Sequence, residues 1–264
     1  MTALNREPGG RVVIASGQEG PVVVIASGDH WLVVEKPAGM SIHNDPGRDL
    51  CSLVLAAVRK ATVPAMAPDV SGIHAVHRLD RDTSGIVLLA VDGATRAFFG
   101  AQFAARTVHK RYLALVHGTL PVDGRWTEWN WPLAEGAGGR RDPMGRGKRM
   151  ACATRWRVLD TSAHYSLIEC EPLSGRQHQI RRHARLAGHA VVGDRRYGSA
   201  RALAFLARYC QFNRLALHAH LLTLQVPGGT QAVAMTSAGL PDTMGRLFAA
   251  DQPQGNDTCG TMPP

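Results

Sequence analysis

The sequence predicts an α+β fold with a mixed, mainly antiparallel central sheet flanked by helices. Short runs of β-branched and apolar residues outnumber the segments with helical periodicity, and such runs are typical of strands. Two of these runs are separated only by a turn-like tetrapeptide, which favours hairpin pairing over alternating βα units. The 264 residues, of which 45% are hydrophobic, suffice for one large domain with a substantial core.

The predicted core begins with a hairpin. PVVVIA, from Pro21, and WLVVEK, from Trp31, are strand-like runs on either side of SGDH, and KPAG ends the second strand as a turn. The preceding residues, 1–20, are Gly-rich and predict an irregular lead-in or an edge strand. We expect a single domain over residues 21–250. Residues 251–264 are polar and rich in Pro and Gly, which predicts a disordered tail.

The next predicted elements are a buried strand and a helix. IVLLA, from Ile86 to Ala90, is a continuous apolar run of strand length. Asp92 then stands where a helix N-cap is expected. The apolar residues at helical spacing, which would form the buried face of this helix, are Ala94, Ala97, Phe98, Ala101 and Ala105.

Three more strands and one helix are predicted in the second half of the chain. The strands are YLALV from Tyr112, HYSLIECEP from about His164, and LALHAHLLTLQV from Leu215. Before the last strand, a helix from Gly175 carries a narrow apolar stripe and stops at Gly188. The stripe consists of Ile180, Ala184 and Ala187.

The net charge predicts an anionic partner. Lys and Arg number 30 against 21 Asp and Glu, which gives a net charge of +9 and a pI near 9.9. Such an excess favours nucleic acid, although some proteins are basic without binding any. The segment from Glu135 to Arg149 has no periodicity and predicts a long, mobile loop that either grips phosphates or is simply solvated. Its cations are Arg140, Arg141, Arg146, Lys148 and Arg149.

Cysteine usage and hydropathy predict an intracellular protein. The five cysteines are far apart, odd in number and without a CxxC pair, which favours reduced thiols over a disulfide framework or a zinc site. The N-terminus has no apolar signal core, and no segment is long and apolar enough to span a membrane. We therefore expect a cytoplasmic monomer that does not associate with membranes.

A charged cluster, HRLDRDTSG, immediately precedes the predicted buried strand. Its charged members include Arg78, Asp80, Arg81 and Asp82. A loop held by a rigid strand is a good place for reactive groups, and a nearby Arg stabilises an ionised carboxylate. A turn with Asx-type caps and solvated ion pairs explains such a cluster as well. The HRD loop of protein kinases does not fit, because GxGxxG and DFG are absent and Leu79 interrupts the triplet.

The helix predicted from Gly175 is strongly basic. Arg181 and Arg185 are four residues apart and share a face, which adjoins the apolar stripe. Arg181 is therefore expected at the boundary between core and solvent, the alternative being an ordinary solvated basic face. A metal site is a further alternative that would use His74, His77, His178 and His183. These histidines lack an HExxH arrangement or a CxxC partner, so we expect no metal.

Four segments, in order, resemble the motifs of the RluA family of pseudouridine synthases. HRLDRDTSGIVLLA resembles the family signature, EKPAGMSIH its KPxG motif, and KRYLALVHG its KxYxAxVxG motif. SGRQHQIRRHARLAGHAVVGDRRYG, followed by RLALHAHLLTL, resembles its C-terminal block. Together they cover about Val22 to Thr236. The chain departs from the pattern in having no evident S4-like domain before KPAG, as in some members, and Ala190 where a Pro often stands.

The resemblance implies an isomerase that converts specific uridines in structured RNA, ribosomal or transfer, to pseudouridine without a cofactor. The bond from ribose C1′ to uracil N1 breaks, and C1′ is rejoined to C5. By resemblance Asp80 is the catalytic carboxylate, acting either as a nucleophile or as a base on ribose C2′. Arg181 pairs with it, and Tyr112 lies at the uracil. Without the resemblance, Tyr112 is equally explained as an ordinary strand aromatic.

The resemblance also implies how RNA is held. Arg78 enters the space left by the flipped base, since a planar guanidinium suits stacking and phosphate contact. Ile180 packs at the base pocket or is plain core. Apart from the resemblance, the basic charge of their segments leads us to expect RNA contacts from Arg176, in the basic helix, and Arg149, in the basic loop. Two alternatives stay open: an RNA-binding protein whose catalysis is vestigial, and a metal-dependent hydrolase that uses the His-rich segments.

Overall fold

The computed structural model describes residues 12–17, 20–63 and 70–253. The strands are β1 (Val12–Gly17), β2 (Gly20–Gly28), β3 (Trp31–Lys36), β4 (His74–Ala75), β5 (Ser84–Ala90), β6 (His109–His117), β7 (Thr127–Trp129), β8 (Leu133–Ala134), β9 (Arg149–Met150), β10 (Thr154–Thr161), β11 (Tyr165–Pro172), β12 (Leu217–Gln225) and β13 (Ala232–Thr236). The helices are α1 (Leu50–Arg59), α2 (Gly93–Ala104), α3 (Gln179–Leu186), α4 (Ala200–Tyr209) and α5 (Asp242–Ala250). None of these helices combines the length and the apolar character that crossing a bilayer requires.

One large sheet organises the chain. Nine strands follow the order β1-β2-β3-β5-β12-β6-β11-β10-β7, while β4 also pairs with β5 and β13 with β12. In the part of the chain that the structure describes, β5 and β12 are the parallel pair, and all other strand pairs are antiparallel. The predicted mixed, mainly antiparallel α+β fold is therefore confirmed.

The N-terminal strands form the edge of this sheet. β2 and β3 pair as the predicted hairpin, with Gly28 opposite Trp31. β1 pairs antiparallel with β2, so the edge-strand alternative describes residues 12–17 of the predicted lead-in. Residues 1–11 and 18–19 of the lead-in, and residues 254–264 of the predicted tail, lie outside the described residues.

β5 is buried on both faces of the sheet. All seven of its residues are buried. Val87 and Leu89 belong to one apolar cluster, and Ile86 and Leu88 to another. Alternate side chains of a strand point to opposite faces, so two cores hold this strand from above and below. The loop that precedes β5 thus starts from a rigid support.

Gly85 lets β12 approach the start of β5. Its φ is +113°, and an added Cβ would lie 2.2 Å from the carbonyl oxygen of Ala219. A side chain is therefore excluded both by the backbone conformation and by the neighbouring strand. This close approach fixes β5 against β12 five residues after Asp80.

Helix α2 begins as predicted, but its predicted buried face is wrong. The Asp92 carboxylate caps it by accepting a hydrogen bond from the Thr95 amide at 2.7 Å. The side chains that it buries are Thr95 and Phe99, and Phe98 is 38% exposed. The predicted face, Ala94, Ala97, Phe98, Ala101 and Ala105, is exposed. Alanines bury little area, so the packing of a single phenylalanine, Phe99, sets the rotation of the helix about its axis. The sequence does not show which of the two adjacent phenylalanines, Phe98 or Phe99, is the one that packs.

Helix α3 begins at Gln179 and not at the predicted Gly175. The loop before it is held by the Gln179 side chain, whose Oε1 accepts hydrogen bonds from Ser174 Oγ at 2.7 Å and the Arg176 amide at 3.1 Å. His178 adopts a left-handed conformation, with φ +54°, which interrupts helical geometry at that residue. The helix ends at Leu186, in agreement with the predicted stop at Gly188.

We predict that Gly85→Ala lowers the free energy of unfolding by about 2 kcal/mol or more, because backbone strain adds to the clash with β12. Urea denaturation measures this change. Gly100→Ala is the matched control, since a Cβ at position 100 of α2 meets nothing within 4 Å. That control is expected to be neutral or stabilising. Equal stability of Gly85→Ala and wild type would contradict the constraint at the start of β5.

Candidate active site

The loop that carries Asp80 is tied to the KPAG turn by a buried lysine. Lys36 is fully buried, and its Nζ donates to the carbonyl oxygens of Pro37 at 2.9 Å, Met40 at 2.8 Å and Arg81 at 3.0 Å. Arg81 Nε in turn donates to the carbonyl oxygen of Gly39 at 2.8 Å. Burial lowers the pKa of Lys36 to about 7. Two sequence motifs more than 40 residues apart therefore form one rigid unit.

Arg181 joins Asp80 to a second carboxylate, Asp194. Its Nη1 donates to Asp80 Oδ2 at 2.9 Å, while Nε and Nη2 donate to the two oxygens of Asp194 at 2.7 and 2.9 Å. Burial disfavours the charged form of Arg181, but the ion pairs with Asp194 and Asp80 outweigh it and raise its pKa. At 4% exposure, Arg181 is buried more deeply than the predicted boundary position. It is a fixed cation between two anions.

Asp194 is held by the backbone as well. It is fully buried, and its Oδ1 also accepts hydrogen bonds from the amides of Arg196 at 2.9 Å and Tyr197 at 3.0 Å. The preceding residue, Gly193, has φ +74°, and a Cβ there would lie 1.9 Å from the carbonyl oxygen of Arg214. Asp194 therefore lies on a turn that packs so tightly that no residue larger than glycine fits at position 193.

Tyr112 and Ile180 line a small pocket beside Asp80. The pocket has a volume of about 130 Å³. Tyr112 comes from β6 and Ile180 from α3, and both side chains are buried. Burial, with a contribution from the Asp80 charge, raises the pKa of the Tyr112 phenol. The hydroxyl therefore keeps its proton at neutral pH and is available as a hydrogen-bond donor. A volume of this order is comparable to that of a single planar ring.

A wider cleft of about 1010 Å³ opens outside this pocket. Arg78 and Arg176 line both cavities. Arg78 is exposed, whereas the Nε of Arg176 is buried without a hydrogen-bond partner. Arg149 is exposed in β9 and is not among the residues that line either cavity. The charged residues lining the cleft are Arg78, Asp80, Arg81, Asp82, Glu135, Arg176, Arg181, Arg195 and Arg196, so cations predominate.

The basic loop from Glu135 to Arg149 is anchored, in contrast to the mobile loop expected. Arg182 is fully buried and donates to the carbonyl oxygens of Ala134 at 3.0 Å and Pro143 at 2.6 Å, and also to that of Met144. The loop connects β8 to β9, and these two strands pair as a two-stranded sheet. Its cations Arg140, Arg141, Arg146, Lys148 and Arg149 remain exposed. A basic residue of α3 thus fixes the backbone of a loop that displays other basic residues.

Three of the four histidines considered as metal ligands, His77, His178 and His183, have other partners. His77 Nε2 accepts a hydrogen bond from the Leu88 amide at 3.0 Å, and burial lowers its pKa to about 3. The His183 ring nitrogens lie 3.0 Å from Thr154 Oγ1 and from the Trp131 carbonyl oxygen. Over residues 12–17, 20–63 and 70–253, no group of three or more His, Cys, Asp or Glu is arranged to hold a metal.

Sequence reasoning missed Asp194, Tyr197 and the partners of His178. His178 Nδ1 lies 3.0 Å from the Tyr197 hydroxyl, and its Nε2 lies 3.7 Å from Asp80 Oδ1. The signal was present in the segment GDRRYG, where a Gly precedes an Asp and a Tyr follows three residues later. Only the folded chain reveals that this segment faces Asp80.

We predict that Asp194→Ala lowers the free energy of unfolding by about 3–5 kcal/mol, because it leaves the buried Arg181 charge without its bidentate partner. Chemical denaturation measures this loss. Asp123→Ala is the matched control, since its carboxylate is exposed and accepts only from the nearby Arg125 amide. We expect that control to unfold like the wild type. A small effect of Asp194→Ala would mean that Asp80 alone suffices to hold Arg181.

Comparison with known proteins places this chain in a family. The family model for RNA pseudouridylate synthase matches residues 30–186. The ribosomal large subunit pseudouridine synthase D of Zymomonas mobilis is 35% identical over 243 residues, which cover 88% of this chain and 73% of that protein. The ribosomal large subunit pseudouridine synthase C of Vibrio vulnificus is 33% identical over 218 residues, which cover 81% of this chain and 65% of that protein.

The fold agrees with this assignment. The solved structure of human RNA pseudouridylate synthase domain containing 4 superposes with a TM-score of 0.66 over 86% of this chain and 91% of that one, at 20% sequence identity. That likeness concerns the fold alone. Together with the family match and the two bacterial relatives, it confirms the resemblance of the four motifs: this chain belongs to the RNA pseudouridylate synthase family.

Proposed function

We propose that this chain isomerises uridine to pseudouridine in ribosomal RNA, with Asp80 as the catalytic carboxylate. The observation that carries the proposal is the position of Asp80. Its carboxylate is paired with the buried Arg181 at 2.9 Å and lines both the ring-sized pocket and the basic cleft. A base flipped out of RNA would enter the pocket while its ribose stays in the cleft, beside the carboxylate.

The Asp80 carboxylate is paired on one oxygen and still reachable from the cleft. Arg181 occupies Oδ2, and the side chain of Asp80 remains 26% exposed, so the carboxylate is reachable from the cleft. An ionised carboxylate is needed whether it attacks ribose C1′ or removes the C2′ proton. In both routes the C1′–N1 bond breaks, C1′ bonds to C5, C5 loses its proton and N1 gains one. In the first route the bond between Asp80 and C1′ breaks as C5 attacks, and in the second the C2′ proton is returned as C5 adds to C1′. The product has the composition of the substrate, so no cofactor is required.

Tyr112 and Ile180 are proposed to hold the detached uracil. Both are buried walls of the small pocket, and an aromatic ring can stack on a base. Because the raised pKa keeps the Tyr112 hydroxyl protonated, it acts as a hydrogen-bond donor to the base. Confinement between these side chains would let the uracil turn without leaving the site.

Arg78 and Arg176 are proposed to bind the RNA around the flipped nucleotide. Arg78 is exposed where the pocket meets the cleft, which suits a guanidinium that fills the gap in the base stack. Arg176 offers a buried Nε without a protein partner, and an unsatisfied buried donor is expected to meet an acceptor in the complex. The exposed Arg149 and its neighbours in the basic loop extend the phosphate-binding surface.

We predict that Asp80→Asn abolishes pseudouridine formation while RNA affinity and stability stay near those of the wild type. The amide keeps the shape of the carboxylate but removes its charge and its reactivity. Single-turnover assays on in vitro transcribed ribosomal RNA measure the rate, and filter binding measures the affinity. Asp123→Asn, an exposed carboxylate elsewhere, is the control and should have the wild-type rate.

Two outcomes would overturn this assignment. Wild-type turnover by Asp80→Asn would exclude Asp80 as the catalytic carboxylate. A wild-type protein that binds ribosomal and transfer RNA but forms no pseudouridine in either would favour the alternative of an RNA-binding protein with vestigial catalysis.

The substrate is testable separately. Both bacterial relatives described above carry names that refer to the ribosomal large subunit, and for this chain we propose the same class of RNA. We predict that deletion of the gene removes one or more pseudouridines from large-subunit ribosomal RNA, as measured by pseudouridine mapping of total RNA. Re-expression of the wild type should restore these sites, and re-expression of Asp80→Asn should not. Loss confined to transfer RNA would contradict the proposed substrate.

A further inference from the structure

His178 occupies a strained position between two elements of the site. It is the N-cap residue of α3, with φ +54° and ψ +27°, yet its side chain makes no capping hydrogen bond. A left-handed conformation is unfavourable for a residue other than glycine and often marks a functional constraint. Instead, the two ring nitrogens of His178 contact groups on opposite sides of the ring.

The two contacts link Tyr197 to Asp80. His178 Nδ1 lies 3.0 Å from the Tyr197 hydroxyl, and Nε2 lies 3.7 Å from Asp80 Oδ1. Arg181 binds the other oxygen of the same carboxylate, Oδ2, at 2.9 Å. Each oxygen of Asp80 therefore faces a different side chain: Oδ2 faces the guanidinium of Arg181, and Oδ1 faces the imidazole of His178. What the imidazole presents to Oδ1 depends on its protonation.

Tyr197 is held by the same turn that holds Arg181. Its amide donates to Asp194 Oδ1 at 3.0 Å, and its ring is fully buried. The guanidinium of Arg181 lies 5.3 Å from the ring centroid, and that of Arg196 lies 5.9 Å from it. The Tyr197 hydroxyl is consequently presented to His178 in a fixed position.

Burial favours a neutral His178 ring at neutral pH. Burial is the main factor that lowers its pKa below the ordinary 6.5. Arg181 and Arg196 act in the same direction, whereas the carboxylates of Asp80 and Asp194 oppose them. Burial also raises the pKa of the Tyr197 phenol, so this hydroxyl keeps its proton. A neutral imidazole carries one N–H, and its other nitrogen is an acceptor.

The tautomer of His178 decides whether Asp80 Oδ1 faces an N–H group or a lone pair. If the Tyr197 hydroxyl donates to Nδ1, the hydrogen of His178 lies on Nε2 and points to Asp80 Oδ1. In the opposite tautomer a lone pair on Nε2 faces a carboxylate oxygen, which is electrostatically unfavourable. The 3.7 Å separation is longer than a hydrogen bond, and such contacts commonly tighten when substrate binds.

We propose that His178 is a positioning residue for Asp80, and that the Tyr197 hydroxyl fixes the His178 tautomer whose Nε2–H faces Asp80 Oδ1. This inference rests on the proposed catalytic role of Asp80. Arg181 and His178 then orient the carboxylate from both oxygens, so that its reactive edge is directed at the ribose in the cleft.

The test is the pH dependence of a Tyr197→Phe variant. Phenylalanine keeps the ring against Arg181 and removes only the hydroxyl. At about pH 8, where His178 is neutral, both tautomers become available, and we expect the single-turnover rate to fall about tenfold with little change in RNA affinity. Below the lowered pKa of His178 both ring nitrogens carry hydrogen, so Nε2–H is restored without the hydroxyl. The ratio of wild-type to variant rate should therefore approach one as the pH falls through the lowered pKa of His178.

Two further variants make the result specific. His178→Ala should lower the rate by a factor that does not recover at low pH, and adding Tyr197→Phe to it should have no further effect. Tyr209→Phe is the matched control, since Tyr209 is 65% exposed and lies on α4. It should have the wild-type rate at every pH.

A direct measurement does not depend on activity. Nitrogen NMR of the His178 ring at about pH 8 should show hydrogen on Nε2 in the wild type and a mixture of tautomers in Tyr197→Phe. Hydrogen on Nδ1 in the wild type would overturn the inference. A rate ratio that stays constant from about pH 8 down to a pH at which the NMR signals show His178 to be protonated would also overturn it. If Asp80→Asn is inactive and this ratio is constant, only the role of His178 fails. If Asp80→Asn is active, the proposed catalytic role of Asp80 fails, and the inference about His178 fails with it.

Discussion

The site depends on one buried cation between two carboxylates. Arg181 is almost completely buried, and removing a charge from water is costly unless good partners compensate. Asp194 supplies two hydrogen bonds and Asp80 a third. Because Asp194 is also bound to the backbone of its own turn, the guanidinium cannot move without breaking several contacts. The position of Asp80 is thereby set by a network that its own loop alone could not form.

Segments far apart in the sequence converge on this network. Lys36 binds the Asp80 loop from the end of β3, the close approach of β12 at Gly85 fixes the start of β5, and Arg181 reaches across from α3. Each contact uses a different interaction: a buried ammonium with carbonyl oxygens, steric exclusion of a Cβ, and a buried ion pair. The folded chain thus brings residues from all four sequence motifs to one place.

Sequence patterns predicted the strands better than the helices and their boundaries. β5 could be predicted because burial of the whole strand goes with a continuous apolar run in the sequence. The N-cap of α2 could be predicted because the hydrogen-bond partner of Asp92 is close in the sequence. Three features could not be predicted from the sequence: the rotation of α2, the start of α3 and the anchoring of the basic loop. They depend on Phe99 packing, on the left-handed His178 and on Arg182, which are all tertiary effects. Asp80, Tyr112, Ile180 and Arg181 were assigned by resemblance, and their proximity in the fold is consistent with that assignment.

The anchoring of the basic loop changes the thermodynamics of any contact with a polyanion. Arg182 and Arg196 bind its carbonyl oxygens, so the backbone has lost its conformational freedom when the chain folds. A flexible loop would lose that freedom on association and bind more weakly for the same number of phosphate contacts. The exposed side chains still have rotational freedom, so the loop combines a preorganised backbone with adaptable cationic tips. Its affinity for a polyanion is then governed mainly by counterion release and little by ordering of the chain.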